Sequence, residues 1–377
     1  MFVTAIIPTF NRAALLAETV AAVRSQSRAP DEIVIVDDGS TDGTLALLDE
    51  IGDGLQIISK PNTGKADSLN MALSRANGTH IWIVDDDDLP RTDGLANLVA
   101  LLEEQTGSEI AYGRHERFLI DRSTGARHSM ETGYWDDRSA DWFLIATLED
   151  FFVHQPAMLV AKGLYERAGP FNVEMVASED YEMLIRLAQL GRVAATDAVI
   201  FDQRVHDGVR GQIGHQFAAS ERNEKWIEYD QRILGAVYAD LPLMTYLPTG
   251  AALTEATHRQ ALLQRGTIMA RKKLWEKAII DFRAAAACSG ADLSISERQI
   301  LRRALLSKYG CEELFAPDGP LPALLDLRSA GPSGSAIVRG IARSLLWRIK
   351  VATQHRDLGA MRRYTKLHAD LVYLPVR

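Results

Sequence analysis

The sequence predicts an α/β protein, a mostly parallel β-sheet flanked by helices, followed by an all-α C-terminal region. Three observations carry this. Short β-branched runs alternate with helix-period segments over roughly the first 115 residues, the pattern of βαβ units. Polar, turn-forming clusters fall directly behind the strand runs. Beyond about residue 216 the composition turns Ala-, Leu- and Arg-rich with helical spacing.

Taken in order, "VTAII" (3–7) is a strand closed by "PTFNR", and "AALLAETVAAV" (13–23) is a helix with Asn11 as its cap. "EIVIV" (32–36) is a strand followed by the turn chemistry of "DDGSTDG". Residues 41–51 read as a helix, "LQIIS" (55–59) as a strand, 64–76 as a helix and "HIWIV" (80–84) as a fourth strand. Residues 108–121 read as further strands and "DWFLIATLED" (141–150) as helical. "EDYEMLIRLAQLG" (179–191) is a helix with Gly191 as C-cap, and "RVAATDAVIF" (192–201) returns to strand. The organisation expected is a domain over residues 1–215 and a helical one over 216–377.

A length of 377 residues exceeds one ordinary core, so two domains are the expectation. No apolar run approaches the roughly 18 residues of a membrane span. The opening "MFVTAIIPTFNR" lacks the basic region of a signal peptide and runs into Pro8. The only cysteines, Cys288 and Cys311, stand in no metal-binding spacing, so a cytoplasmic placement is expected. The net charge of −8 divides unevenly: the last 41 residues carry +7 and residues 1–336 carry −15. No nucleic-acid partner is expected of so acidic a body.

The informative clusters are acidic. "IWIVDDDDLP" (81–90) sets Asp85, Asp86, Asp87 and Asp88 behind an apolar strand. Carboxylate oxygens there suit Mg²⁺ or Mn²⁺, held by one or two carboxylates together with substrate phosphates. In an open parallel sheet ligands bind beyond the carboxyl ends of the strands, so Pro8-Thr9, Asp37-Asp38 and Asp85–Asp88 converge on one rim. Other phosphate motifs fail. Gly64-Lys65 lacks the first glycine and the hydroxyl residue of a P-loop, and the aspartate run lacks the glycine and glutamate of an EF-hand.

Read together, "AIIPTFNR…VDDGSTDGT", "NTGKADSLNMALSRANGTHIWIVDDDDLP", "EDYEMLIRLAQLG" and "QRVHDG" closely resemble glycosyltransferase family 2, over residues 2–210. The resemblance implies a GT-A type, Rossmann-like fold. It also implies inverting, non-processive, metal-dependent transfer of a sugar from a nucleotide-diphosphate donor to a glycan or lipid-linked acceptor. By position Pro8, Thr9, Asn11, Arg12, Asp38, Lys65, Asp85 and Asp86 fall to the nucleotide sugar. Asp38 would contact the base, with Asp37 the structural partner of the turn. Asp87 would be the principal metal ligand, joined by Asp85 and His206, with Asp86 in the variable slot. Extended alternation would put Asp85 and Asp87 on one face. Asp88 is open between ligand and cap of a helix starting near Pro90. Asp180 would be the general base, Glu179 would orient the acceptor, and His154 and Gln155 would bind acceptor hydroxyls. A non-catalytic sugar-nucleotide-binding scaffold is the rival reading, and a nucleotidyltransferase a weaker one, since "IIPTFNR" has no glycine-rich loop.

In the C-terminal region, Gly266, Ala278, Phe282 and Ala285 are spaced as in a tetratricopeptide repeat near 258–290, although a generic helical hairpin is the expectation. "AIVRGIARSLLWRIKVA" (336–352) sets Ile337, Ile341, Leu345 and Ile349 on one face and Arg339, Arg343 and Lys350 elsewhere. Two readings stand for this basic amphipathic helix. It contacts an anionic membrane surface, or its apolar face docks on the protein.

Overall fold

The structure is a computed structural model that describes residues 1–121, 123–130, 134–205, 221–288 and 292–373. Two compact units emerge, Met1–Thr147 with Phe151–Arg222, and Leu148–Asp150 with Asn223–Arg377.

The first unit is built on one nine-stranded sheet. β1 (Val3–Thr9), β2 (Glu32–Asp37), β3 (Gln56–Ser59) and β4 (His80–Ile83) are parallel, in the order β3-β2-β1-β4. The crossovers are α1 (Ala13–Arg24), α2 (Thr44–Ile51) and α3 (Lys65–Arg75). The sheet continues through strands that local pattern does not order. β5 (Leu89–Pro90) follows the aspartates, then come α4 (Gly94–Glu104), β6 (Ile110–Ile120) and β7 (Arg127–Ser129). After α5 (Phe143–Glu149), β8 (Met158–Ala161) slots antiparallel between β4 and β6. α6 (Lys162–Ala168) and α7 (Glu179–Leu190) precede β9 (Val193–Arg204), which pairs parallel to β6 and antiparallel to β5.

The central strands are buried almost throughout, and successive side chains alternate between two covered faces, as a sheet sandwiched by helices requires. Ile6, Val34, Val36, Ile81 and Ile83 pack with Leu69 of α3 and Leu184 of α7. Ala5, Ile7, Ile33, Ile35, Trp82 and Val84 pack with Leu16 and Val20 of α1 and Leu98 of α4. Each such aliphatic side chain contributes ~1.5–3 kcal/mol by leaving water, which fixes the register and hence the rim where the strands end.

Several local expectations are corrected. Asn11 does not cap α1; it sits in the left-handed region at φ 54°, and its Oδ1 accepts the Thr41 N–H at 2.7 Å, so it ties the two rim loops instead. The second helix starts at Thr44, because Asp42 turns the chain onto it through the Thr44 N–H at 2.9 Å. Gly191 ends α7 in extended rather than left-handed geometry. The helix expected near Pro90 starts at Gly94, since β9 captures Leu89 and Pro90 as a strand.

The second unit is helical: α8 (Arg222–Asp240), α9 (Glu255–Arg271), α10 (Trp275–Ala287), α11 (Ile295–Leu301), α12 (Leu321–Asp326), α13 (Gly331–Ala342), α14 (Leu345–Gln354) and α15 (Leu358–Tyr373). α9 and α10 form the hairpin. A Cβ on Gly266 would stand 2.7 Å from the Phe282 ring, so the two helices touch closely there. The 336–352 stretch is two helices, not one, and Ile337, Ile341 and Leu345 are fully buried in this unit's core. The apolar face named for membrane contact is therefore taken up by the protein. Among the described residues no helix is long and apolar enough to cross a membrane.

Candidate active site

The rim at the C-terminal ends of β1, β2 and β4 gathers most of the expected residues. Behind β2, Asp37 and Asp38 are both buried. The Asp37 carboxylate accepts the Ser40 N–H at 3.2 Å and the Ser59 hydroxyl at 3.3 Å. Asp38 accepts the Thr63 N–H at 2.9 Å, the Gly64 N–H at 2.8 Å, and the Lys60 ammonium. Gly39 permits the turn: at φ 77° a side chain would be strained, and its Cβ would lie 2.7 Å from the Asn62 nitrogen. Asp38 thus moulds the 60–64 loop, and Lys60 is a partner that its sequence neighbourhood did not disclose.

The four aspartates behind β4 do not continue the strand. The Asp88 N–H donates to the Asp85 carbonyl at 3.2 Å, closing a turn, so the alternation expected of an extended chain is lost. The side chains diverge. Asp85, the only one not buried, accepts Lys65 Nζ at 2.6 Å. Asp86 accepts the Thr9 hydroxyl at 2.7 Å and Arg12 Nη1 at 2.9 Å. Asp87 accepts the same Arg12 nitrogen at 2.5 Å. Asp88 accepts the Arg204 N–H at 3.1 Å and caps no helix. Arg204 clamps the turn further by donating Nε to the Asp87 carbonyl at 3.1 Å. His206 lies outside the described residues.

α7 brings the second acidic pair. Ser178 enters the helix in the left-handed region at φ 63° and makes no side-chain cap, so its role is not that of an ordinary N-cap. Such a conformation costs about 1–2 kcal/mol for a residue with a Cβ and marks a constrained site. Glu179 is buried and Asp180 half-buried. Lys65 Nζ lies 3.7 Å from Glu179 Oε1 while it holds Asp85. The placement is pinned by Asn70 of α3, whose amide brackets the Phe171 backbone at 2.7 and 2.9 Å ahead of α7.

Charge is unbalanced here. Burial and the Asp180 carboxylate push the Glu179 carboxyl up to about 7, and burial raises Asp180 as well. Burial also pushes Asp86 up to about 6 against the pull of Arg12, and burial with Asp87 raises Asp88. Burial opposes the charge on Lys65, but Asp85 and Glu179 hold it above its ordinary value. Four carboxylates face mainly Arg12 and Lys65, and cation charge is short. Asp85 and Asp87 offer hard oxygens, held by side-chain cations that can swing away. That donor set fits Mg²⁺ or Mn²⁺ arriving with a diphosphate. Among the described residues no group of three or more metal-ligating side chains is gathered.

Beside α7, residues 151–157 form an aromatic wall. His154 packs against Phe151 and His115 at 4.7 Å each, and Phe151 against Tyr181 at 5.4 Å. The Trp82 indole N–H donates to the Pro156 carbonyl at 2.9 Å, fixing this wall to β4. Gln155 is buried, and its Oε1 has no partner among the described residues.

The sequence profile described as Glycosyl transferase family 2 matches residues 4–166. A PGL/p-HBAD biosynthesis glycosyltransferase of Mycobacterium bovis (strain BCG / Pasteur 1173P2) is 32% identical over 187 residues, 48% of this chain and 67% of that protein. The chain belongs to glycosyltransferase family 2. An uncharacterized glycosyltransferase of Rickettsia typhi is 24% identical over 207 residues, 54% of this chain and 64% of that protein. Among solved structures, S. aureus TarS superposes with a TM-score of 0.52 at 16% identity, over 97% of this chain and 55% of TarS. Its 1–349 fragment with UDP-GlcNAc gives 0.52 at 17% identity, over 90% of each chain. At that identity the likeness establishes the GT-A fold alone.

Proposed function

We propose that this chain is a non-processive, inverting glycosyltransferase that moves a sugar from a nucleoside-diphosphate sugar to an acceptor hydroxyl. The observation that carries the reading is the bridge at Lys65, which joins Asp85 on the donor-side turn to Glu179 beside Asp180.

In this reading the acceptor oxygen attacks the anomeric carbon as the bond to the diphosphate breaks, and the bonding pair leaves on the diphosphate oxygen. Asp180 takes the acceptor proton. Burial raises both carboxyls of the pair, and the Asp180 charge adds to the rise at Glu179. Glu179, its carboxyl pushed up to about 7 by burial and by Asp180, orients the acceptor by hydrogen bonding. Gln155 and His154 line the acceptor side. Thr9 and Asp38 shape the nucleotide pocket, with Pro8, Asn11 and Arg12 along its β1 edge. Asp87 and Asp85 would hold a divalent cation, which when bound would supply charge to stabilise the leaving diphosphate. The acceptor class proposed is a glycan or lipid-linked sugar, in cell-surface glycan or glycoconjugate assembly at the cytoplasmic side.

A screen of nucleotide sugars with Mn²⁺ or Mg²⁺, beginning with UDP-GlcNAc, tests this by release of nucleoside diphosphate. Release from one donor is expected, with loss in Asp87→Ala. Equal release by Asp87→Ala overturns the assignment of the turn.

A further inference from the structure

We propose that the outward face of the α13–α14 segment is a docking surface for an anionic lipid bilayer. Residues 327–356 contain no Asp or Glu, in a chain with 50 acidic residues. Arg343 and Ser344, between the two helices, keep right-handed helical dihedrals (φ −62° and −57°), so the faces carry across the junction.

At about 100° per residue, Ile337, Ile341, Leu345 and Ala352 fall on one side and all are buried. Arg339, Arg343, Leu346, Trp347 and Lys350 fall within an arc of about 100° on the opposite side, and all are exposed. Leu346 and Trp347 keep 53% and 55% of their surface in water. The basic residues differ by side in what they do. Arg348 points inward and donates to the Leu305 and Ser307 carbonyls at 2.7 and 2.8 Å. Arg339, Arg343 and Lys350 have no ion pair among the described residues. One face holds the fold together, and the other carries an indole and a leucine framed by three uncompensated cations.

An anionic bilayer satisfies both features. Trp is favoured at the headgroup boundary and leucine below it, while each basic residue near an anionic surface strengthens partition roughly fivefold. A second copy of this chain would set the same cations against themselves across a two-fold axis. A nucleic acid would use the cations and leave Leu346 in water.

The test floats the full chain with vesicles one-third phosphatidylglycerol in phosphatidylcholine. Binding is expected at low salt and loss at roughly 0.3 M salt, with none to pure phosphatidylcholine. L346S/W347S should lower partition by about tenfold or more, and R343E/K350E should abolish it. Ile295→Ser, another exposed apolar site, should leave binding unchanged. Quenching by lipids brominated in the acyl chain should be lost in Trp347→Phe. Nucleotide-sugar turnover in solution should be untouched by L346S/W347S, so failure here is distinct from failure of the transferase reading. The proposal is overturned if the wild type does not float at low salt, or if L346S/W347S floats as well as the wild type. It is equally overturned if that pair abolishes self-association or nucleic-acid binding in place of vesicle binding.

Discussion

Two acidic turns sit on neighbouring strand ends, Asp37-Asp38 after β2 and Asp85–Asp88 after β4, and they are held in different ways. The carboxylate of Asp38 meets two backbone N–H groups, Thr63 and Gly64, together with the Lys60 ammonium. Those amides belong to the 60–64 loop, whose backbone turns around the carboxylate. Asp85 and Asp87 meet the ends of Lys65 and Arg12, long side chains with alternative rotamers. Partners fixed in the backbone make an acidic residue architectural. Partners at the end of a flexible stem leave it able to exchange one cation for another.

Breaking the first turn should cost most in stability. Asp38→Ala strands a buried ammonium and two loop amides, and a loss of about 3–5 kcal/mol is expected in urea denaturation. A loss under about 1 kcal/mol would erase the contrast. Next comes pH. The Glu179 carboxyl titrates near 4.5 when unfolded and near 7 in the fold, so its favourable contribution is whole below pH 4.5 and is lost as pH rises through 7. Glu179→Gln, without donor or metal, should match the wild type near pH 4.5 and exceed it by about 1–3 kcal/mol at pH 8. A pH-independent difference would show that the carboxyl is not held protonated. Ser178→Gly relieves the left-handed strain and should gain about 1 kcal/mol in the same assay, whereas a loss would mean the hydroxyl holds the turn. The smallest stability effect belongs to Asp85→Ala, within about 1 kcal/mol of wild type because its Lys65 pair is partly exposed. That variant should nevertheless lose the rise in melting temperature that Mn²⁺ with a nucleoside diphosphate gives the wild type.

Local pattern made the parallel half of the sheet legible. β-branched runs ending in turn residues place Thr9, Asp38 and Asp85 on one rim, because register and strand ends follow from apolar alternation. What stayed hidden depends on contacts far along the chain. Arg204 clamps Asp88 from 116 positions away, and β9 converts Leu89 and Pro90 from an expected helix start into a strand. The divergence of the four aspartates follows from the turn these contacts enforce. The site residues on Asp85 and Glu179 were nameable, but their meeting at Lys65 needed α3 and α7 to be pinned by Asn70, a long-range hydrogen bond that no local period signals. In the C-terminal region the apolar stripe was visible, and which side of it faces water was not.

In the proposed reaction, donor grip and proton removal are separate duties, the first at Asp85 and Asp87 and the second at Asp180. The most direct measurement pairs donor calorimetry with transfer rate in Asp180→Asn. The expected result is a donor affinity equal to wild type with transfer slowed about 10²–10⁴-fold. Transfer at the wild-type rate would contradict it.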